Sequence, residues 1–324
     1  MGHTTNTAQL QDELVDACKW GEEDRARELI SRFGAEPQAR ALLEEMLQEE
    51  DARARQAAAF GLGELGGAVS VRRLEQQLAL EEARGDYDGE SVVDEIIRAL
   101  GRIEDAGVRA VLVRKLERLA ATEPELSDVN VVTQALWKRR HPDLLSTVRR
   151  SLAQLDPKAH GSLPGLLVLL EKTPDELRAW VRSPLVAVED KTRVITVLEA
   201  DLPDELDSTL PSFVSTATAL LEEAASQQGE AAYYCDRLFV LLLRFKERVL
   251  PTLPEETRAE LRTLARSIVP AVSPNCSFSA AVLLQYIGQP EDAAVIEANR
   301  PEDSIGADAF DAIARALRSH QGQT

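Results

Sequence analysis

Apolar residues recur along this chain three and four positions apart, the spacing of one face of an α-helix. Leu10, Leu14, Val15 and Cys18 form one such stripe, and Ala26, Leu29, Ile30 and Phe33 form the next. Gly21 stands between them, where a helix would end. Glu22, Glu23 and Asp24 follow it, placing negative charge where the dipole of a new helix favours it. Pro37 opens a third helix, with Leu42, Leu43, Met46 and Leu47 on its apolar side, and Asp51 is placed to cap a fourth. Helical spacing then continues through 192–198, 210–221, 238–245 and 261–269, punctuated by Pro203, Pro211, Pro251, Pro254 and Pro270. Phe310, Ile313, Ala314 and Leu317 mark a closing helix. Stretches of alternating Val, Ile and Thr bounded by turn residues are almost absent, so no sheet is expected.

The helices repeat. Leu62-Gly63-Glu64-Leu65 is echoed 38 residues later by Leu100-Gly101-Arg102-Ile103, and Leu74 and Leu78 return as Leu112 and Leu116. A looser third copy, offset by 36, holds Val131, Val132, Ala135 and Leu136. Self-similarity at this period predicts stacked units that bury their apolar faces against their neighbours.

The run from Arg53 to Gly63, with Asp51 before it, paired Ala58 and Ala59, and a closing Leu62-Gly63, resembles the second helix of a HEAT repeat of the bacterial HEAT-like kind. In the second copy Ile96 and Ile97 replace the alanines and Val93 stands for Arg55. The segment from Ala280 to Asp292 returns to the same form. The resemblance implies an all-α fold, a right-handed α-solenoid of helix pairs. Its expected parts are a helical cap over 1–36, HEAT-like repeats over 37–156, divergent helical repeats over 157–276, and a last repeat and cap over 277–324. The run Leu14–Gly21 with Asp24 and Leu29-Ile30 looks like half an ankyrin repeat and is read as the end cap. Gly61-Leu62-Gly63 is read as a tight turn at a helix end.

Composition narrows the function. The 324 residues carry a formal charge of −18, a field that repels phosphate backbones and anionic lipid and attracts basic surfaces. Nucleic acid and membrane are therefore not expected as partners. Lys138-Arg139-Arg140 and Arg149-Arg150 are short basic clusters near Trp137, against that global field. Cys18, Cys235 and Cys276 form no CxxC pair, which fits reduced thiols in the cytoplasm. The N-terminus shows no secretory signal, and the apolar run 238–243 is far too short to span a bilayer.

Catalytic motifs are missing. The four histidines, His3, His141, His160 and His320, form no HExxH and no His-Glu pair of the sort carried by iron-binding HEAT-repeat hydroxylases. No phosphate-binding glycine loop and no Gly-x-Ser-x-Gly occurs. Residues 81–90 read as an acidic loop inside one repeat; Asp86, Asp88, Gly89 and Glu95 match calcium-loop positions, but Arg84 stands where the first ligand should be. No metal, no cofactor and no enzyme activity are expected.

The reading is a scaffold that holds another protein against its inner face, and the net charge favours one with a basic surface. Aligning the copies puts Gln56 with Asp94 and Asn130, and Phe60 with Arg98 and Gln134, flanking a buried column of Ala58, Ile96 and Val132. Those six polar-stripe positions, with Asp86, Tyr87 and Asp88 of the loop and Trp137, are the expected partner contacts. Phe60 serves as anchor if exposed, and otherwise tucks under the next layer. The family resemblance also allows a HEAT-like lyase acting in bilin attachment, or a toxin-neutralising immunity protein.

Overall fold

The computed structural model describes residues 2–33, 37–223, 228–270, 274–302 and 304–319. Among these, all regular structure is helical: nineteen α-helices, two short 3-10 helices and no strand. The chain divides into two compact units, Met1–Leu163 and Pro164–Thr324.

The first unit opens with α1 (Gly2–Lys19), α2 (Glu23–Phe33) and α3 (Pro37–Met46). It continues with α4 (Ala52–Leu65), α5 (Gly67–Arg84), α6 (Tyr87–Arg102), α7 (Ala106–Ala120), α8 (Leu126–Lys138) and α9 (Leu144–Gln154), and the helices pair as α3 with α4, α5 with α6 and α7 with α8. Alternate helices stack. α1, α4, α6 and α8 form one row, each packed on the next, and α5, α7 and α9 form the other. This is the helix-pair arrangement of a HEAT-like solenoid, with α1 and α2 packed on α4 at its end.

The Leu-Gly echo has a packing cause. A Cβ on Gly63 would lie 2.9 Å from the Cα of Ala99, and one on Gly101 would lie 3.1 Å from the Cα of Ala135. In each repeat a glycine of one row helix therefore meets an alanine of the next, and the two backbones close to a distance that side chains would forbid. Leu62 and Leu100, fully buried beside these contacts, fill the space around them. Gly61 and Gly63 thus lie inside α4 and are not a turn; the turn is Gly66-Gly67, whose φ values of +65° and +79° are the left-handed region that glycine tolerates.

Arg55 explains the arginine of the repeat motif. It is buried, and its guanidinium donates to Glu81 on α5 at 2.7 Å and to the carbonyls of Glu49 and Glu50 at 2.9 and 2.7 Å. One side chain thereby satisfies the chain end before α4 and clamps α4 to α5. Gln77 donates to the same carboxylate at 2.6 Å. Asp51 caps α4 as expected, accepting from the Arg53 amide at 2.9 Å.

The second unit comprises α10 (Leu163–Glu171), α11 (Pro174–Arg182), α12 (Val188–Leu198), α13 (Leu210–Glu223), α14 (Gln228–Arg244), α15 (Lys246–Thr252), α16 (Glu255–Ile268), α17 (Pro274–Ile287), α18 (Asp292–Ala298) and α19 (Ser304–Ser319). It repeats the two-row scheme, with α12, α14 and α17 in one row and α11, α13 and α16 in the other. Larger side chains fill this row: Tyr234, Cys235, Leu238, Phe239, Leu241 and Leu242 are all fully buried on α14. The buried Tyr234 hydroxyl donates to the Phe213 carbonyl at 3.2 Å, which meets the requirement for a partner in the core. Asp292, also fully buried, accepts from Arg262 at 2.6 Å and from the Gln289 amide at 2.8 Å, with Arg266 3.2 Å away.

No helix among the described residues is long and apolar enough to cross a membrane.

Candidate functional site

The expected polar stripe forms along the α4–α6–α8 row. Ala58, Ile96 and Val132 are fully buried between the helices, and Gln56, Asp94, Asn130 and Gln134 sit half-buried beside them. Arg98 is exposed and reaches back one turn to Asp94 at 3.2 Å. Burial is the main influence that raises the Asp94 carboxyl above its usual range; Arg98 opposes it and Asp128 on α8 reinforces it. Asn130 also has a structural duty: its Oδ1 accepts from the Ser162 amide at 2.7 Å.

Two aromatic residues of the expected contact set are buried. Phe60 is only 5% exposed, because the Arg102 guanidinium lies over its ring, 4.5 Å from the centroid. It has taken the tucked position, so it offers no protruding anchor. Trp137 is likewise buried, with Arg140 4.6 Å from its ring centre, so it offers no open ring to a partner.

The acidic loop is absent as well. α5 continues to Arg84 and α6 starts at Tyr87, leaving a joint of Gly85 and Asp86. Gly85 adopts the left-handed conformation that ends α5 (φ +62°). Asp86 caps α6 by accepting from the Gly89 amide at 2.7 Å. That bond is the largest influence holding its carboxyl below the usual range. Residues 88–95 are helical, which removes the calcium-loop geometry. Tyr87 and Asp88 remain exposed on the first turn of α6.

Three stripe residues do meet around one cavity. Gln56, Phe60 and Arg98 line a notch of about 240 Å³ together with Cys18 and Gly21 from the α1–α2 corner, Glu23 and Ala26 from α2, and Glu95 from α6. Sequence alignment of the copies found the first three. It missed Glu23 and Cys18, because nothing in the repeat pattern tells which cap residues face the row, and it missed Glu95 of α6, which lies beside the aligned positions. Burial is the leading influence raising the Glu95 carboxyl above its ordinary range, with Arg102 opposing it and Glu23 adding to it. Burial pushes the Cys18 thiol up to about 12, so Cys18 is a neutral wall of the notch and no nucleophile.

A broader groove of about 680 Å³ lies between α3 and α5. Several of its polar groups are paired with each other, Gln48 with Gln77 at 2.9 Å and Arg73 with Glu44 at 3.1 Å. The notch therefore has the stronger claim as a site.

No protein-family model matches the chain, and no curated protein matches it. Among solved structures, human deoxyhypusine hydroxylase in complex with glycerol is similar over 89% of this chain and 99% of that one, at 16% identity and a TM-score of 0.40. The complex of CpcE and CpcF of phycocyanin lyase from Nostoc matches 86% of this chain and 94% of that chain, at 16% identity and a TM-score of 0.36. Both carry the names of enzymes, a hydroxylase and a lyase, and the expectation that the chain is no enzyme is withdrawn. Stacked helix pairs do not in themselves exclude chemistry. At this identity and these TM-scores neither activity transfers to the present chain.

Proposed function

We propose that the chain binds a partner protein along the open side of its α4–α6–α8 row. The observation that carries this reading is the alignment of Gln56, Asp94 and Asn130, half-buried polar groups one repeat apart on equivalent positions of α4, α6 and α8. Such a ladder offers hydrogen-bond donors and acceptors at regular intervals to an elongated surface. Exposed Tyr87 and Asp88 at the start of α6 extend it along one edge. The charge of −18 favours a partner with a basic surface, since complementary fields speed encounter and reject like-charged competitors.

The test is charge reversal at Asp94 on the ladder and at Asp128, the α8 acid whose charge bears on it. Asp128→Lys and Asp94→Lys, each checked for an unchanged helical signal, should lose the partner that tagged wild-type chain retains from its native host. Binding should also weaken as salt rises. Undiminished capture by both folded variants would move the interface away from this row.

A further inference from the structure

The α12–α14–α17 row of the second unit carries an outer face unlike the polar ladder of the first. α14 and α17 run side by side in the same direction: Cys276 Sγ lies 3.4 Å from the Ala232 carbonyl, Ser279 donates to Asp236 at 2.8 Å, and Lys246 Nζ lies 5.3 Å from the centre of the Tyr286 ring. Tyr233, Val240 and Arg244 recur at helical spacing along the outer side of α14, and Phe278, Val282 and Tyr286 along that of α17. Tyr233 is 57% exposed, Phe278 45% and Tyr286 47%, and Val240, Leu243 and Val282 are half-buried on the same two helices. Single apolar side chains scattered over a surface need no explanation, but three exposed rings with three aliphatic neighbours on adjoining helices form one patch.

Charge on this patch is sorted by ends. Its central polar groups are matched within the chain: Asp236 accepts from Ser279, and Arg237 holds Glu199 of α12. Lys246, just past the end of α14, is offset by Glu247 at 3.9 Å. Two charges are left over. Glu230 in the first turn of α14 and Arg244 in its last are both exposed, and neither forms an ion pair among the described residues. They lie about 21 Å apart along the helix, at about 1.5 Å per residue, with Tyr233 and Val240 between them. A uniformly basic partner would confront Arg244, and a uniformly acidic one would confront Glu230. A surface that is negative at one end, positive at the other and apolar between fits its own copy turned end for end, the requirement of a two-fold interface.

We infer that the outer face of α14 and α17 docks on the same face of a second copy of this chain, the two related by a two-fold axis across the helices. The paired helices then run antiparallel. Glu230 of each copy meets Arg244 of the other, and Tyr233 of each packs near Val240 of the other, while Phe278 and Tyr286 widen the apolar contact on the α17 side. Aromatic anchors inside a ring of matched charges are the usual makeup of a stable contact. The inference goes beyond the protein-binding reading above and uses a different unit of the chain.

Sedimentation velocity of the full chain, from about 1 µM to about 100 µM, should show the mass rise to twice that of one chain. Tyr233→Ser, at an exposed position, should weaken self-association by about tenfold. Glu230→Arg and Arg244→Glu should each weaken it by about tenfold, because like charges then face each other at both ends of the interface. The double variant, Glu230→Arg with Arg244→Glu, should restore it. Glu230→Arg also makes the chain less acidic, so relief of general repulsion would strengthen association instead; the direction of the change separates pairing at this face from an effect of net charge. The helical signal confirms that each variant is folded, and if Tyr233→Ser is not, the charge variants carry the test. A single-chain mass at every concentration, a dimer that either charge reversal leaves unweakened, or no recovery in the double variant overturns the inference. Partner capture by Asp94→Lys and Asp128→Lys probes the other unit, so the two proposals fail separately.

Discussion

The two units solve the same stacking problem with different materials. In the first, row helices meet through small residues, Gly63 on Ala99 and Gly101 on Ala135, so backbones touch and little side-chain volume lies between them. In the second, α14 brings Tyr234, Leu238, Phe239 and Leu242 into the row, and side chains fill the space. The buried charges differ in the same sense. In the first unit both partners are sealed, Arg55 at 2% and Glu81 at 1% exposure. In the second only the acid is sealed; Asp292 is fully buried, while Arg262 and Arg266 remain 17% and 42% exposed. The lesson is that the charge clamped between α4 and α5 has no escape route, whereas the arginines that hold Asp292 keep a path to water.

That contrast is open to direct test. Glu81→Ala should produce the largest loss, about 3–5 kcal/mol, because Arg55 would be left charged, enclosed and without its acid. Asp292→Ala should cost less, about 1–3 kcal/mol, since Arg262 and Arg266 can turn outward. Chemical denaturation of the two variants reads the difference; equal losses would break the comparison. Gly63→Ala comes next, at about 1–3 kcal/mol, because the added Cβ meets backbone that only helix separation can relieve. Gly101→Ala, with its slightly longer approach, should cost less than Gly63→Ala in the same experiment.

Glu95, in the wall of the notch, gives a smaller, pH-dependent effect. The carboxyl of Glu95 is raised in the folded chain, so the native state holds a proton that the unfolded chain has already released. Stability from this group therefore falls as pH rises from the ordinary glutamate range through the raised value. Relative to Glu95→Gln, wild type should gain stability as pH is lowered through that window, by about 1 kcal/mol or less. A difference that does not change with pH, in paired thermal melts, would remove Glu95 from the account. The mildest expectation concerns thiols. Burial raises all three cysteines, so a disulfide reagent at pH 8 should label the native chain slowly, and Cys18, which lines a cavity, should react before Cys235 and Cys276.

The same contrast accounts for what the sequence disclosed. A glycine facing an alanine leaves a mark at fixed spacing, so the repeats of 37–156 and the buried column at Ala58, Ile96 and Val132 were legible. Leucine and phenylalanine fill many kinds of gap, and the pattern faded over the second unit for that reason. The site was legible in part. Alignment located Gln56, Asp94 and Arg98, since equivalent positions in a repeat share a face. It placed Phe60 and Trp137 among contact residues because spacing does not reveal an arginine lying on a ring, Arg102 of α6 in one case and the nearby Arg140 in the other. The acids of residues 81–90 suggested a loop, yet a left-handed Gly85 and a capping Asp86 allow two helices to meet there with almost no connection.

The glycine–alanine contacts also fix the reading frame of the fold. Adding or removing one residue within α4 would turn Gly63 about 100° around the helix and swing it away from Ala99. A length change that the Gly85-Asp86 joint could absorb would therefore be ruinous a few residues upstream. Variation in length among natural versions of this chain should gather at such joints and spare the interiors of α4, α6 and α8.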